Sequence, residues 1–298
     1  MARVTQAELI DRLLSSRGTI ALLGGIETGK TSFGLTLAEK ARARGISVAY
    51  VDSDLGQSTV GPPMCVGLKF CDRLDRVTAD AVARADELGF VGSYSPEDHL
   101  VPLVCSTIRL VNRARQAGCE MVIVDTSTLV SGVEAEILKY HKLDVIRPSW
   151  VVGFQRGGEL DPILGVITRF LPAETITLQV ESDIVERSAE DRLGSREKSF
   201  ASYFKPPLSR WRVKPTVFMP PIPPETDLQR LDGLVVGLED GNGRCRGIGL
   251  LEYDMQANVL RMVSSVADGA RGLRLGSVRV TPEGKTLGRV LARDLFGN

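Results

Sequence analysis

The sequence lacks the long apolar runs of a membrane-spanning protein. Its apolar stretches fall short of the about 20 residues that an α-helix needs to cross a bilayer. At the N-terminus, Thr5 and Glu8 precede an apolar pattern, which predicts a capped helix and not a signal peptide. We therefore expect a cytoplasmic protein that makes no contact with a membrane.

The chain is also poor in metal-binding side chains and has no excess of either charge. Its two histidines and five scattered cysteines show no paired C-x-x-C spacing, which argues against a zinc site. The odd number of cysteines, in mostly apolar surroundings, predicts buried free thiols. Lys and Arg total 37, as do Asp and Glu, so the net charge is zero and no global field attracts a polyanion. A nucleic-acid site would therefore have to be a local patch.

What the sequence does contain is a regular alternation of strand-like and helix-like segments. Apolar runs of strand length occur at residues 19–23, 47–52, 121–125, 150–154 and 175–180, with helical periodicity between them. Unbroken Val, Ile and Leu strands that alternate with helices are typical of a parallel sheet covered on both faces. We predict an α/β fold in which helices cover both faces of a mostly parallel sheet.

The composition changes after residue 204. The proline-rich segments KPPLSRWRVKP and FMPPIPPET predict a linker. Beyond them, short alternating runs broken by Gly, Asn and Asp predict a small antiparallel β domain. We therefore expect a larger domain at residues 1–212 and a small β-rich domain at residues 213–298.

A phosphate-binding loop follows the first predicted strand. The stretch satisfies the pattern G-x-x-x-x-G-K-[ST] between a strand and a helix, which is the setting that the motif requires. In such a loop the backbone N–H groups surround the phosphates, the lysine reaches the β and γ phosphates, and the threonine hydroxyl ligates Mg²⁺. The residues predicted to bind the nucleotide are Gly24, Gly25, Ile26, Glu27, Thr28, Gly29, Lys30, Thr31 and Ser32.

Three aspartates are expected near the nucleotide. Asp52 and Asp54 follow the second predicted strand in YVDSDLGQSTVGPP, and Asp125 ends the strand MVIVD. Parallel strands deliver their carboxyl ends to one crevice. With Thr31, these aspartates are therefore candidate ligands for Mg²⁺. For any one of them, the alternative is an aspartate that only caps a turn.

Five segments together resemble the polynucleotide 5'-hydroxyl kinases, a family that includes the kinase subunit of the mRNA 3'-end cleavage factor. They are GGIETGKTS, VDSDLGQ followed by GPP, FVGSYSPEDH, IVDTSTLVSG and RSAEDRLGSREKSFASYF, in the family's order and spacing. The resemblance covers about residues 18–204 and, more weakly, the β-rich end. It implies a P-loop fold and Mg²⁺-dependent transfer of the γ phosphate of ATP to the 5'-hydroxyl end of RNA or DNA, within RNA processing.

The resemblance also implies the catalytic residues. Asp54 matches the second aspartate of the D-x-D-x-G-Q motif, which implies a general base that also contacts Mg²⁺. Gln57 and Asp52 would then support metal or water. Such transfer passes through a loose transition state, so catalysis depends on positioning and on neutralising charge. Lys30 would supply part of that positive charge.

A lid near residues 185–204 would supply the rest. The arginines that fall on the family's lid pattern are Arg187, Arg192 and Arg196. Arginine suits this role because its charge is permanent and its fork matches phosphate oxygens. The alternative is a solvated surface helix, since acidic residues of the same segment would balance the arginines.

The acceptor strand is expected to lie beside SYSPEDH, which resembles the family's clasp. The residues predicted to contact it are Gln57, Ser95, Pro96, Asp98, His99 and Thr126. Ser95 with Asp98 could equally form a plain helix cap. Where eukaryotic relatives carry Gly-Trp, this chain has Thr128 and Leu129. Leucine does not stack on a base as tryptophan does, so the acceptor preference stays open.

Two basic stretches could add affinity for a nucleic acid. They comprise Lys205, Arg210, Arg212 and Lys214 around Trp211, and Arg271, Arg274 and Arg279. Such groups give salt-dependent binding without sequence preference. A solvated basic surface is the alternative for each stretch.

Two other functions share the phosphate loop. One is a switch or scaffold in RNA processing that binds or hydrolyses ATP without transferring phosphate, although that function would not need Asp54 together with the lid arginines. The other is a GTPase, for which the sequence offers no separate N-K-x-D-like guanine element.

Overall fold

The computed structural model describes residues 5–97, 99–180, 187–266 and 270–296. The helices are α1 (Gln6–Ser16), α2 (Lys30–Ala43), α3 (Ala79–Val82), α4 (Leu100–Gln116), α5 (Val133–Ile146), α6 (Asp161–Phe170), α7 (Ala189–Tyr203) and α8 (Ala292–Phe296). The first strands are β1 (Gly18–Gly24), β2 (Val48–Ser53), β3 (Cys65–Phe70), β4 (Glu87–Phe90), β5 (Met121–Thr126), β6 (Trp150–Gln155) and β7 (Glu174–Gln179). The others are β8 (Ser209–Val213), β9 (Phe218–Met219), β10 (Leu234–Glu239), β11 (Cys245–Asp254), β12 (Val259–Ser264), β13 (Gly272–Val280) and β14 (Thr286–Arg289).

The five predicted strands form a parallel sheet in the order β2-β5-β1-β6-β7. Their residues are nearly all buried except in β7, at the edge. In the register of β2 with β5, Asp52 lies opposite Asp125. The predicted α/β fold with a mostly parallel sheet is confirmed, and its carboxyl edge brings the two acidic strand ends together.

Helices cover both faces of this sheet. On one face, α1 and α2 pack through Leu9, Leu13 and Leu37 against the strands. On the other face, α4, α5 and α6 pack through side chains such as Leu103 and Leu138. Each such side chain contributes about 1.5–3 kcal/mol when fully buried. The predicted cap of α1 is also present, since Thr5 and Glu8 form a reciprocal capping box.

Strands β3 and β4 extend the sheet in the antiparallel direction. β3 pairs with β2 and β4 pairs with β3. The chain returns from β2 to β3 through residues 54–64, and this loop packs against the sheet at Gly67. A Cβ added to Gly67 would lie 2.1 Å from the Val60 carbonyl oxygen, so only glycine fits there. These two strands were not among the five predicted from the apolar runs.

The β-rich end continues the same sheet. β11 pairs with β4 at Cys245 and Leu88, and β10 to β14 follow as antiparallel neighbours. β8 pairs with β12, and Trp211 on β8 packs against the core of this part. The interpretation of the first proline-rich segment as a linker was therefore wrong, because it contains a paired strand. The division at residues 212 and 213 stays a prediction.

Two further expectations concern the state of the cysteines and the presence of membrane-spanning helices. All five cysteines are free thiols, as predicted; Cys65, Cys71 and Cys245 are buried, whereas Cys105 is exposed. In the part of the chain that the structure describes, no helix combines the length and the apolar character that crossing a membrane requires.

Candidate active site

The phosphate loop joins the end of β1 to the start of α2. β1 ends at Gly24 and α2 begins at Lys30, so residues 25–29 form the turn between them. A Cβ added to Gly24 would lie 2.8 Å from the Phe154 carbonyl oxygen, which excludes a larger residue. Gly29 has φ 85°, a left-handed conformation that glycine adopts without strain. The strand, glycine turn and helix that the motif requires are therefore present.

A cavity of about 830 Å³ lies beside this loop. Its volume falls in the range of about 300–1,000 Å³ that is typical of small-molecule sites. The loop residues that line it are Ile26, Glu27, Thr28, Gly29, Lys30, Thr31 and Ser32. Gly24 and Gly25 are not part of its wall. The cavity thus reaches most of the predicted nucleotide-binding loop.

Lys30 is held in the wall of the cavity. It is 5% exposed, and its Nζ donates a hydrogen bond of 2.7 Å to the carbonyl oxygen of Gly25. Burial lowers the pKa of Lys30, and the charges of Asp125 and Asp54 oppose that shift. A phosphate bound in the loop would compete with this carbonyl for the ammonium group.

Asp125 connects β5 to the phosphate loop. Its Oδ2 accepts hydrogen bonds from the Thr31 hydroxyl at 2.6 Å and from the Tyr50 hydroxyl at 2.8 Å. Its Oδ1 is buried and has no hydrogen-bond partner. Burial raises the pKa of Asp125, while Lys30 and the Thr31 hydroxyl oppose the shift. Asp125 therefore contacts the loop through Oδ2, while its Oδ1 is unpaired.

Thr31 lines the cavity and Asp125 lies outside its wall, and the oxygens of these two hydrogen-bonded residues fit a magnesium ion. Thr31 and Asp125 offer a hydroxyl and a carboxylate, the oxygen ligands that Mg²⁺ prefers. Among the described residues, no three His, Cys, Asp or Glu side chains converge as a metal cage. Mg²⁺ usually keeps waters and substrate phosphates as ligands, so two protein groups are sufficient.

Asp52 organises the loop after β2. It is 1% exposed, and its carboxylate accepts the backbone N–H groups of Asp54 at 2.9 Å, Thr59 at 2.6 Å and Val60 at 3.0 Å. Burial, followed by the charges of Asp125 and Asp54, raises its pKa well above the ordinary value. Asp52 does not line the cavity, so its predicted contact with the metal stays a prediction.

Asp54 has a different environment from Asp52 although only Ser53 separates them. It is half-buried and lines the cavity. Its Oδ1 accepts the backbone N–H groups of Gly56 at 3.1 Å and Gln57 at 3.2 Å. No described residue donates a hydrogen bond to Oδ2. The carboxylate is thus held in place at the cavity with one oxygen available to a substrate.

The three lid arginines line the same cavity. α7 begins after a capping box made by Ser188 and Asp191. Arg187, which precedes the helix, forms an ion pair with Glu27 of the phosphate loop. Arg192 donates to the carbonyl oxygen of Arg187, and its own carbonyl accepts from the Gln57 side chain at 3.3 Å. The predicted lid residues 185 and 186 lie outside the described residues.

Arg196 packs over an aromatic ring and contacts the loop of Asp54. Its guanidinium lies 4.0 Å from the centre of the Tyr94 ring, and its Nε donates to the Gly56 carbonyl at 3.4 Å. Burial lowers its pKa, while the charges of Tyr94 and Asp54 oppose the shift. The lid thus already contacts both the phosphate loop and the Asp54 loop.

The predicted acceptor residues separate into two groups. Gln57, Ser95 and Pro96 line the cavity. Thr126 does not, because it is buried and donates to the Leu22 carbonyl at 2.8 Å. His99 also lies outside the cavity wall, and Asp98 lies outside the described residues.

Ser95, the residue of the helix-cap alternative, is not the N-cap residue of α4. The N-cap residue of this helix is His99, which makes no side-chain capping hydrogen bond. The residues that follow Thr126, namely Ser127, Thr128 and Leu129, do line the cavity. This part of the cavity wall is therefore made of small hydroxyl-bearing and apolar groups.

The basic stretches predicted for nucleic acid are partly paired with acids. Arg210 forms an ion pair with Glu252 at 3.5 Å, and Arg274 forms one with Glu239 at 3.4 Å. Arg279 donates to two backbone carbonyl oxygens. These arginines therefore lie in surroundings of mixed charge.

Several site residues were missed in the sequence analysis. Arg156, just after β6, donates to the carbonyl oxygens of Ile26 at 3.2 Å and Glu27 at 3.1 Å, and so braces the phosphate loop. Its position two residues beyond a predicted strand end was a usable signal. Tyr94 lies in the quoted clasp segment but was not singled out. Lys139 and Lys142 carried no signal, because a helical pattern does not show which lysines are buried.

Comparison with known proteins adds to this geometry. Residues 24–206 match the model of the family described as the mRNA cleavage and polyadenylation factor CLP1 P-loop. A polyribonucleotide 5'-hydroxyl-kinase of Pyrococcus horikoshii is 25% identical over 349 residues, which covers 99% of this chain and 94% of the relative. One from Thermococcus kodakarensis is 26% identical over 329 residues, covering 93% of this chain and 92% of the relative. A solved Clp1p–Pcf11p complex shares the fold, with a TM-score of 0.71 and 12% identity over 91% of this chain and 77% of that chain.

Proposed function

The chain belongs to the family of the mRNA cleavage and polyadenylation factor CLP1 P-loop, and on this basis we propose that it is a polynucleotide 5'-hydroxyl kinase. The observation that carries the proposal is that Lys30, Asp54 and the lid arginines line one cavity. The similar archaeal proteins, which bear the name polyribonucleotide 5'-hydroxyl-kinase and align over most of both chains, support it. We propose ATP as the donor and RNA, with DNA as a second acceptor, as the substrate.

On the donor side, the loop N–H groups and Lys30 would hold the phosphates of ATP. Arg156 fixes the shape of the loop from behind through its two carbonyl contacts. Arg187, Arg192 and Arg196 would place positive charge around the transferring group, where charge spreads over the phosphoryl oxygens in the transition state. The predicted alternative of a solvated helix does not explain why all three arginines line the cavity.

Thr31 and Asp125 would hold Mg²⁺, since the Thr31 hydroxyl is hydrogen-bonded to Asp125 through Oδ2 and leaves Oδ1 of that carboxylate without a partner. Bound there, Mg²⁺ would neutralise phosphate charge. Tyr50 contributes by donating to Oδ2 of Asp125, which restricts how that carboxylate can turn. The predicted metal contacts of Asp52 and Asp54 stay proposals.

On the acceptor side, Asp54 would accept the proton of the 5'-hydroxyl. A general base has to come within about 2.6–3.2 Å of the hydroxyl oxygen. The hydrogen bonds to Oδ1 fix the carboxylate, and Oδ2 has no donor among the described residues. The cavity extends from Asp54 to Ser95 and Leu129, which gives the acceptor strand a place to lie.

The test is phosphate transfer from γ-labelled ATP to oligonucleotides of one sequence. We expect label on 5'-hydroxyl RNA in the presence of Mg²⁺ and none when Mg²⁺ is chelated, and the 5'-hydroxyl DNA of the same sequence tests the second acceptor. The control is the same RNA with a 5'-phosphate, which has no free acceptor. ATP hydrolysis that is unaffected by RNA, with no labelled oligonucleotide, would favour the ATP-hydrolysing switch instead.

A further inference from the structure

Two lysines of α5 are buried beneath the site, and the proposed mechanism does not use them. Lys139 and Lys142 are each 0% exposed. They are three residues apart, which places them on the same side of the helix. A lysine is almost never fully buried unless a partner compensates its charge. Two such residues in adjacent positions therefore require an explanation.

Their partners are neutral oxygens at the carboxyl ends of two strands. Lys142 Nζ donates to the Ser53 hydroxyl at 3.1 Å. Lys139 Nζ donates to the Thr126 hydroxyl at 2.9 Å and to the carbonyl oxygen of Ser127 at 2.5 Å. Among the described residues, neither lysine has a carboxylate within salt-bridge distance. The lysines therefore hold strand ends and do not neutralise one acid directly.

These contacts continue across the sheet. The Ser53 hydroxyl donates to the Asp125 carbonyl at 2.9 Å, so Lys142 is linked through β2 to β5. The Thr126 hydroxyl donates to the Leu22 carbonyl at 2.8 Å, so Lys139 is linked through β5 to β1. Two buried side chains thus tie together the three strands that carry the acids and the phosphate loop.

The strand ends that they hold are the ones that carry the reactive groups. Ser53 directly precedes Asp54, and Thr126 directly follows Asp125. A movement of these ends would displace both carboxylates relative to the loop. Burial lowers the pKa of Lys142 to about 7, and the charges of Asp54 and Asp125 oppose the shift, as expected for groups that lie within reach of one another.

We propose that the two lysines are positioning residues that hold the carboxyl ends of β2 and β5, and with them Asp54 and Asp125, in the geometry that phosphoryl transfer requires. This role rests on the proposed kinase activity. The lysines act through strand ends and do not line the cavity, so they touch neither substrate. Misplacing a reacting group by about 1 Å can reduce a rate about 100-fold, whereas nucleotide binding by the loop would persist.

The decisive variant is Lys142→Met, which keeps an unbranched side chain that is one heavy atom shorter and removes the hydrogen-bond donors. We expect kcat to fall at least about tenfold while KM for ATP changes less than about threefold. The matched control is Lys40→Met, which removes an exposed lysine of α2 outside the cavity wall and should change neither constant. The positioning role is refuted if Lys142→Met has the kcat of wild type. It is also refuted if the loss of activity is fully accounted for by a smaller fraction of folded protein.

Lys139→Met should show the same fall in kcat and an additional rise in KM for the oligonucleotide. The reason is that Lys139 also holds Ser127, which lines the acceptor part of the cavity with the two residues after it. An effect on KM for ATP alone would contradict the assignment, because it would place the lysine with the nucleotide loop.

A second variant keeps the test decisive if Lys142→Met fails to fold. Ser53→Ala removes the acceptor of Lys142 and should lower kcat in the same direction. If both single variants fold, the double variant should be no less active than the less active of the two, which we expect to be Ser53→Ala, since both changes break the contact between Lys142 and Ser53 and only Ser53→Ala also removes the bond to the Asp125 carbonyl. Strictly additive losses of activity in the double variant would show that Lys142 and Ser53 do not act through their shared contact. A wild-type protein without transfer activity would refute the proposed kinase and not the positioning role within it.

Discussion

Two aspartates separated by a single residue perform different tasks in this site. Asp52 gives its carboxylate to three backbone N–H groups of its own loop, whereas Asp54 presents its carboxylate at the cavity. The first shapes the loop that positions the second. The division arises because β2 ends at Ser53, so Asp54 lies beyond the strand and does not share the face that the strand geometry would give to residues 52 and 54.

Asp54→Asn should lower kcat by at least about 100-fold, since an amide does not accept the hydroxyl proton. KM for ATP should stay near the wild-type value. Single-turnover transfer and nucleotide binding measured on one preparation would check both points. A turnover number equal to that of wild type would refute Asp54 as the base.

The matched variant is Asp52→Asn, which should act mainly on stability. Two N–H groups now bound to Oδ2 would face an amide that accepts at only one atom. We expect the free energy of unfolding to fall by about 1–3 kcal/mol. Denaturant unfolding measures this change. A variant as stable as wild type would show that the loop does not depend on these bonds.

The burial of Lys142 predicts how the stability of the protein depends on pH. Its pKa is about 7 in the fold and 10.5 ordinarily, so the unfolded chain binds more protons between these pH values. The cost of burying the ammonium is therefore greatest below pH 7 and fades as pH rises toward 10.5. Lys142→Met should gain unfolding free energy relative to wild type at pH 6.5, and less at pH 9. Chemical denaturation at both pH values checks this; a difference that does not vary with pH contradicts it.

The lid helix α7 joins the two loops of the site. Its entry is tied to the phosphate loop by the ion pair of Arg187 and Glu27, and its middle is tied to the Asp54 loop by Arg196. Glu27 places a carboxylate in the cavity wall that receives the phosphates. The ion pair with Glu27 holds Arg187 of the lid. The negative charge of Glu27 should also repel the phosphates and so weaken the binding of the nucleotide.

Glu27→Gln should therefore lower KM for ATP. The side chain of Arg187 is half exposed, so the effect should be modest, about two- to fivefold. Glu190→Gln, in the exposed first turn of the same helix, removes a charge outside the cavity and serves as the control. Nucleotide titrations of both variants give the measurement. A weaker affinity in Glu27→Gln would show that the glutamate contributes to binding.

The whole molecule is arranged so that its β-rich end supports the lid. The Tyr203 hydroxyl accepts the N–H of Ile248 at 3.0 Å, and Phe200 packs in a buried cluster with residues of β10 to β13. Glu197 accepts the N–H of Thr286 at 2.9 Å. The predicted small domain therefore contacts the catalytic part at the helix that carries the arginines.

Gly284 offers a test of this support. It has φ +89°, and an added Cβ would lie 2.4 Å from the backbone nitrogen of Ala201 on α7. Gly284→Ala should shift the helix and lower kcat, while the phosphate loop still binds nucleotide. Gly288→Ala is the matched control, because Gly288 also has a positive φ, +115°, but no atom within 4 Å of the added Cβ. Equal kcat values in the two variants would show that the contact does not support the lid.

The sequence by itself determined the α/β class, the five parallel strands, the phosphate loop and the placing of Asp54 and Asp125 at one edge. It could do so because periodicity, glycine positions and the alternation of strands and helices along the chain are present in the sequence itself. The tertiary structure alone decided that Asp52 faces its own loop, that Thr126 is buried, that Arg156 and Tyr94 join the site, and that two lysines lie beneath it. The places of Thr126, Arg156, Tyr94 and the two lysines depend on contacts between residues far apart in sequence, whereas that of Asp52 depends on how the loop after β2 folds back onto it. Burial of a lysine or an aspartate is a property of the packed molecule that no local pattern contains.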